Sequence, residues 1–214
     1  MNKKEFFKKM IICVVGMIIL SHGIAFAIRS NLGITPMHAL SYSIYRLNRF
    51  TVGTNIMFFF TFLVVIQIPV RGKKFKFWHF YQVPLAVLFG YFVDVALWNL
   101  RFIEINTYFG QLFLLFMSVM LMPLGIVTYM EADLVKLPPE GAAFSFVERF
   151  NVPFHKVKLC MDSTIVVSAI IFSLVFIGGI YSVREGSVIL ALAIGRLIPY
   201  MKRFLKFVLK KLGV

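Results

Sequence analysis

Eight polar or charged residues of this 214-residue chain stand in or beside apolar sequence, where their chemistry has consequences. Arg29, Asn31, Thr35 and His38 share one interruption of an apolar stretch, "GIAFAIRSNLGITPMHAL" at 23–40. Asp133 and Glu140 share another, "GIVTYMEADLVKLPPEGA" at 125–142. Asp94 and Arg196 each stand alone inside a further apolar run. Thr35-Pro36 reads as an N-cap and a first helical position, where the missing N–H of proline costs nothing, and Pro138-Pro139 plays the same part in the second break. The free N–H groups at such a helix start favour an anion or a polar group. These eight residues are therefore the candidate substrate or coupling groups, with Gly33, Pro36, Pro138, Pro139, Gly90 and Gly195 shaping the helices around them. For His38 and Glu140 the plainer account is local: a first-turn side chain returning a hydrogen bond to the backbone. No nucleophile–base pair, metal-ligand spacing or glycine-rich phosphate loop accompanies them, so no catalysis, cofactor or metal is expected.

The two isolated charges need partners. An unpaired charge at depth in a bilayer costs about 2.5–3.5 kcal/mol even on forgiving insertion scales. Counted along their helices, Asp94 comes near the outer third of the membrane and Arg196 near the inner third. Crossed pairing is expected: Asp94 with an outer-break arginine (Arg29, Arg46 or Arg49), and Arg196 with an inner-break acid. Snorkelling is the alternative, easy for Arg196 and harder for the short aspartate. His22, Asn55, Gln67, Gln82, Asn99 and Gln111 read as hydrogen-bonding contacts between helices.

The elements that position these groups must be membrane helices. The chain is 60% hydrophobic, with 25 Phe and only 15% charged residues, and its mean hydropathy is +0.86. Apolar runs cover 10–28, 52–70, 105–130 and 163–183 without charge. Two more, about 77–100 and 186–201, carry Asp94 and Arg196. Runs of about 18 or more apolar residues predict bilayer-spanning helices and are too long for barrel strands. Six spans is the simplest count. With both termini in the cytoplasm, four basic groups face inward: Lys3 to Lys9, Arg71 to Lys76, Lys136 to Lys158, and the tail at 202–214. They hold 17 Lys and Arg, against five (Arg29, Arg46, Arg49, Arg101, Arg184) outside. Such a bias follows the positive-inside rule. It assigns the net charge of +14 to an anionic inner leaflet rather than to nucleic acid. The basic start followed by "AFA" at 25–27 also resembles a signal peptide. Cys13 and Cys160 lie in or beside separate apolar spans and read as buried small residues.

Moving along by 102 residues brings Gly23 onto Gly125, Asn31 onto Asp133, Pro36 onto Pro138 and Ser43 onto Ser145. Each copy is a long helix, a polar break, a short amphipathic segment and two further helices, over about 8–100 and 105–205. Gly90 of "LFGYFVD" pairs loosely with Gly195 of "AIGRLIP". Three spans per copy put the second copy into the membrane from the opposite side, the inverted repeat of many secondary transporters. The first helix is half of a matched pair and therefore stays in the mature protein. Gly16 and Gly23 fall on one helix face and predict a close helix contact. Gly178-Gly179 ends or loosens the fifth helix, and Trp78, Tyr81 and Trp98 mark membrane interfaces.

At "SNLGITPMHAL", "GYFVD" and "REGSVILALAIGRLI" the chain resembles the YczE/YitT-like family of bacterial multi-pass membrane proteins, in the YczE form without a soluble C-terminal domain. Val135 where the first copy has Gly33, Arg184-Glu185-Gly186-Ser187 in place of Gly-x-Gly-Thr, and Arg196 after Gly195 depart from the family pattern. The resemblance implies a six-helix protein of the bacterial plasma membrane and supplies no substrate. The expected fold is all-α, with two inverted three-helix repeats, each holding a short interrupted or re-entrant helix. The expected function is transport of a small solute. The alternative is a non-transporting protein that stabilises or regulates a membrane partner, as a hetero- or homo-oligomer.

Overall fold

A left-handed residue closes the long helix before each break. Asn31 has φ 55° and Asp133 φ 46°, a conformation in which short polar side chains are tolerated and helices stop. In the computed structural model, which describes residues 3–105 and 107–211 with side chains as far as 207, α1 runs over Lys3–Ser30 and α5 over Tyr108–Glu131. The short helices that follow, α2 (Pro36–Tyr45) and α6 (Pro138–Phe150), each begin on the expected proline. Next come α3 (Val52–Arg71) and α7 (Phe154–Phe176), then α4 (Gln82–Asn99) and α8 (Glu185–Lys211). The starts of α2 and α6, and those of α3 and α7, are each 102 residues apart. Among the described residues there is no strand. Two 3₁₀ turns, Gly72–Lys74 and Phe77–Tyr81, connect α3 to α4.

Among the described residues, five helical segments are long and apolar enough to cross a bilayer: Lys3–Ser30, Val52–Lys74, Phe77–Asn99, Tyr108–Glu131 and Phe154–Phe176. The expected sixth, α8, is a 27-residue helix whose apolarity is diluted by Glu185, Arg196 and the basic residues from Lys202 onward.

The chain divides into two compact units that do not follow the two sequence copies. One holds residues 1–35, 95–134 and 184–214, and the other 36–94 and 135–183. In the first unit α1 packs along α5, and α8 packs on α5. Glycines permit the α1–α5 approach. A Cβ on Gly23 would come 2.6 Å from Met122 Cγ, and one on Gly125 would come 2.5 Å from the backbone nitrogen of Leu20. Leu20 and Met122 are themselves 102 positions apart, so each copy offers a glycine to the matching residue of the other. Gly16 meets Tyr129 in the same way, as the shared face of Gly16 and Gly23 predicts.

In the second unit the short helices exchange partners. α2 packs on α7, and α6 on α3. Phe60 of α3 and Phe89 of α4 stack with centroids 5.7 Å apart, and Gly53 lies against the carbonyl of Gly90 where α3 and α4 cross. The α7 helix ends at Phe176, just before Gly178 with φ 77°. Cys13 is buried as expected, but Cys160 is exposed.

Candidate functional site

The candidate residues fall in both units. Arg29, Asn31, Gly33, Thr35, Asp133, Gly195 and Arg196 belong to the first, and Pro36, His38, Gly90, Asp94, Pro138, Pro139 and Glu140 to the second.

In the first unit the break after α1 is clasped by the start of α8. Arg184 Nη1 donates to the Asn31 carbonyl at 2.8 Å, and the Gly186 N–H donates to the Leu32 carbonyl at 2.8 Å. Gly33 has φ 104°, and a Cβ there would lie 2.5 Å from Ser187 Oγ and 2.7 Å from the Arg184 nitrogen. Both conformation and space therefore require glycine. The segment Arg184 to Ser187 thus has a structural task. Arg29 Nη2 reaches the Leu97 carbonyl at 3.5 Å, and its Nε has no partner among the described residues. Arg196 is exposed and makes no ion pair among the described residues, so the expected pairing with an inner-break acid is not made. Gly195 meets nothing within 4 Å, unlike Gly90, so these two glycines are not equivalent in packing.

In the second unit Asp94 corrects a further expectation. Its partners are not arginines. Oδ1 accepts from the Gly53 N–H at 2.7 Å and Oδ2 from Thr51 Oγ1 at 2.5 Å. Thr51 is the N-cap of α3 and also accepts from the Thr54 N–H. The carboxylate thus completes a helix start, satisfying an orphan N–H and meeting the positive end of the helix dipole. Neither partner carries a charge, so no pattern of charges along the chain reveals the pairing. Of the arginines expected to pair with Asp94, Arg46 instead lies over the Tyr181 ring at 4.5 Å. His38 is buried against Phe60 and Phe89, at centroid distances of 5.9 and 6.5 Å. Burial, and to a lesser degree the Lys158 charge, lowers its pKa to about 3, leaving a neutral ring.

A further polar site lies where α3 ends against α6. Arg71, the last residue of α3, has a side chain only 11% exposed. Its Nε donates to Ser145 Oγ at 2.6 Å, and its Nη1 donates to His79 Nε2 at 2.8 Å and lies 3.2 Å from Glu148. Accepting from Arg71 leaves the His79 proton on Nδ1, where it meets the Lys76 carbonyl at 2.9 Å. Deeper in, Gln67 and Gln82 bond side chain to side chain at 3.0 and 3.2 Å, as the contact role given to both in the sequence implies. A cavity of about 290 Å³ opens beside Arg71, lined also by Lys73, Lys74, Ser145, Glu148 and Arg149. Sequence reading counted Arg71 as a surface anchor, since nothing local announces that α6 delivers Ser145 and Glu148 to it.

These features define an all-helical chain carrying the apolar helices of a multi-pass membrane protein. The model of the family of unknown function DUF6198 matches residues 7–203, and the chain belongs to that family. No curated protein and no solved structure matches it.

Proposed function

We propose that the protein spans the bacterial plasma membrane six times, with both termini in the cytoplasm. In this reading two inverted three-helix repeats, about 8–100 and 105–205, carry a small solute by way of the two helix breaks. One observation carries the reading. Each break has a left-handed residue, Asn31 or Asp133, followed within a few residues by the point where the chain leaves one compact unit for the other. Matched, broken helices are the parts at which inverted-repeat transporters hold their substrate. The reciprocal contacts of α1 with α5, and the partner exchange of α2 and α6, support the repeat. At about 1.5 Å per residue, α8 is long enough to be the sixth span, and the basic residues then obey the positive-inside rule. Kinship with the YczE/YitT-like proteins belongs to the same proposal, and catalysis forms no part of it. The test is purified protein offered a panel of small anions, amino acids and sugars, by thermal shift and then by proteoliposome uptake with and without a proton gradient. Saturable uptake of one solute that also raises the melting temperature is expected. No stabilisation and no flux under either condition would overturn transport.

A second reading, a membrane partner that does not transport, is favoured by α7. Only 17% of its most apolar window is buried, against 56% for α5. Recovery of a stoichiometric partner or second copy, lost on substituting exposed α7 residues such as Ile171 and Val175, would support it.

A further inference from the structure

The polar contacts of Arg71 have a counterpart at the matching place in the other copy, and the two differ in a way that the fold does not require. Ser145 accepts from Arg71 and donates to the carbonyl of Gly141. A shift of 102 positions carries Ser145, Arg71 and Gly141 onto Ser43, Ser173 and Ala39. Those residues make the same set of contacts: Ser43 meets Ser173 Oγ at 3.0 Å and donates to the Ala39 carbonyl at 3.0 Å. The correspondence extends outward. Glu148 and His79 beside Arg71 match Arg46 and Tyr181, themselves stacked. A serine therefore satisfies the position that Arg71 holds, fully buried at Ser173, and the fold has no need of a guanidinium there. The rims differ too. Lys73, Lys74 and Arg149 stand where the other copy has Val175, Phe176 and Leu47, all exposed apolar side chains.

We propose that the Arg71 cavity binds a phosphate-bearing ligand. Four cations face a single carboxylate around it. Arg71 is held in place by Ser145 and His79, and its Nη2 has no protein partner among the described residues. A planar guanidinium fixed by neighbours, with mobile ammonium groups at the rim, is the arrangement that captures phosphate oxygens. Exposed Phe77 (81%), Trp78 (64%) and Tyr81 (54%) follow directly in the chain, and such aromatic residues settle at the headgroup level of a bilayer. Basic pockets at that level on the cytoplasmic side hold anionic lipid headgroups. The inference rests on the membrane reading and is independent of transport.

Purified, delipidated protein is titrated with phosphatidylglycerol, cardiolipin or phosphatidylcholine in micelles, followed by native mass spectrometry and thermal shift. Inorganic phosphate and glycerol 3-phosphate form a parallel arm. Each lysine near the phosphate is worth about fivefold in affinity, so K73Q/K74Q is expected to weaken binding about 25-fold. The control K202Q/K206Q, equal in charge loss but on α8, is expected to leave it unchanged. Because Lys73 and Lys74 are exposed, that pair tests the cavity without disturbing the buried network, and R71Q provides a second, more severe loss. Selective binding of the anionic lipids with this pattern supports the site with lipid as its source. The same pattern for the soluble phosphates alone supports it with a free phosphate. Binding of neither, binding of phosphatidylcholine as well as the anionic lipids, or an equal loss in the control would overturn the proposal.

Discussion

Replacing Asp94 separates a structural charge from a coupling charge. Its carboxylate accepts two hydrogen bonds, from the Gly53 N–H at 2.7 Å and Thr51 Oγ1 at 2.5 Å. Hydrogen bonds to a charged group are worth about 1.5–3 kcal/mol each, and the charge at the helix N-terminus adds about 0.3–1 kcal/mol. The half-buried site lets water recover part of this, so Asp94→Ala is expected to destabilise by about 2–4 kcal/mol. Asp94→Asn keeps an acceptor for the Gly53 N–H but loses the charge, and is expected to cost about 1–2 kcal/mol. Thr51→Ala removes a cap and should cost about 1 kcal/mol. The assay is reversible unfolding of purified protein in mixed micelles, followed by circular dichroism, with solute uptake measured on the same variants. Asp94→Ala within 0.5 kcal/mol of the parent would refute the capping account. Abolished uptake by Asp94→Asn at unchanged stability would return Asp94 to the coupling role first expected of it.

Glycine contacts make the next contrast. Gly125→Ala drives a Cβ to 2.5 Å from the Leu20 backbone and should destabilise by about 1–3 kcal/mol. Gly195→Ala meets nothing and should stabilise by about 0.5–1 kcal/mol through helix propensity; thermal melts of the two variants check both signs. At the break, Asn31→Gly should be within 0.5 kcal/mol of the parent and Asn31→Val about 1–2 kcal/mol worse, because of the left-handed backbone. Comparable changes at Asp133 test whether the second break makes the same demand. For the buried amide pair, Gln67→Leu and Gln82→Leu should each cost about 1–3 kcal/mol and the double substitution less than their sum, since removing both leaves no orphaned amide. A double-mutant cycle by chemical unfolding measures that coupling.

Local backbone demands were the legible part of this chain. Prolines 36 and 138 start helices, because that requirement acts within one turn of chain, whereas Asn31 and Asp133 read as ligand groups and end their helices through a left-handed backbone that residue type alone does not announce. The face shared by Gly16 and Gly23 was legible for the same reason as the prolines. Partners brought from afar were not. An arginine is the expected partner of Asp94 because charge is visible in a sequence, whereas its actual partners are the N–H of Gly53 and the hydroxyl of Thr51. Gly90 was aligned with Gly195, yet only Gly90 lies in a helix crossing, against Gly53. Arg71 looked like one cation among many until α6 placed Ser145 and Glu148 beside it. The expected sixth span is the remaining case. Glu185, Arg196 and Lys202 dilute α8 enough that hydropathy alone separates it from the five candidate spans.

Topology tests the six-span reading most directly. With Cys13 and Cys160 replaced, single cysteines are introduced by Lys4→Cys and Lys206→Cys, and intact cells are treated with a membrane-impermeant maleimide before and after lysis. Six spans place both positions inside, so both should label only after lysis. Labelling of the Lys206→Cys protein in intact cells, with the Lys4→Cys protein still protected, would mean five spans and would contradict the inverted pair of three-helix repeats.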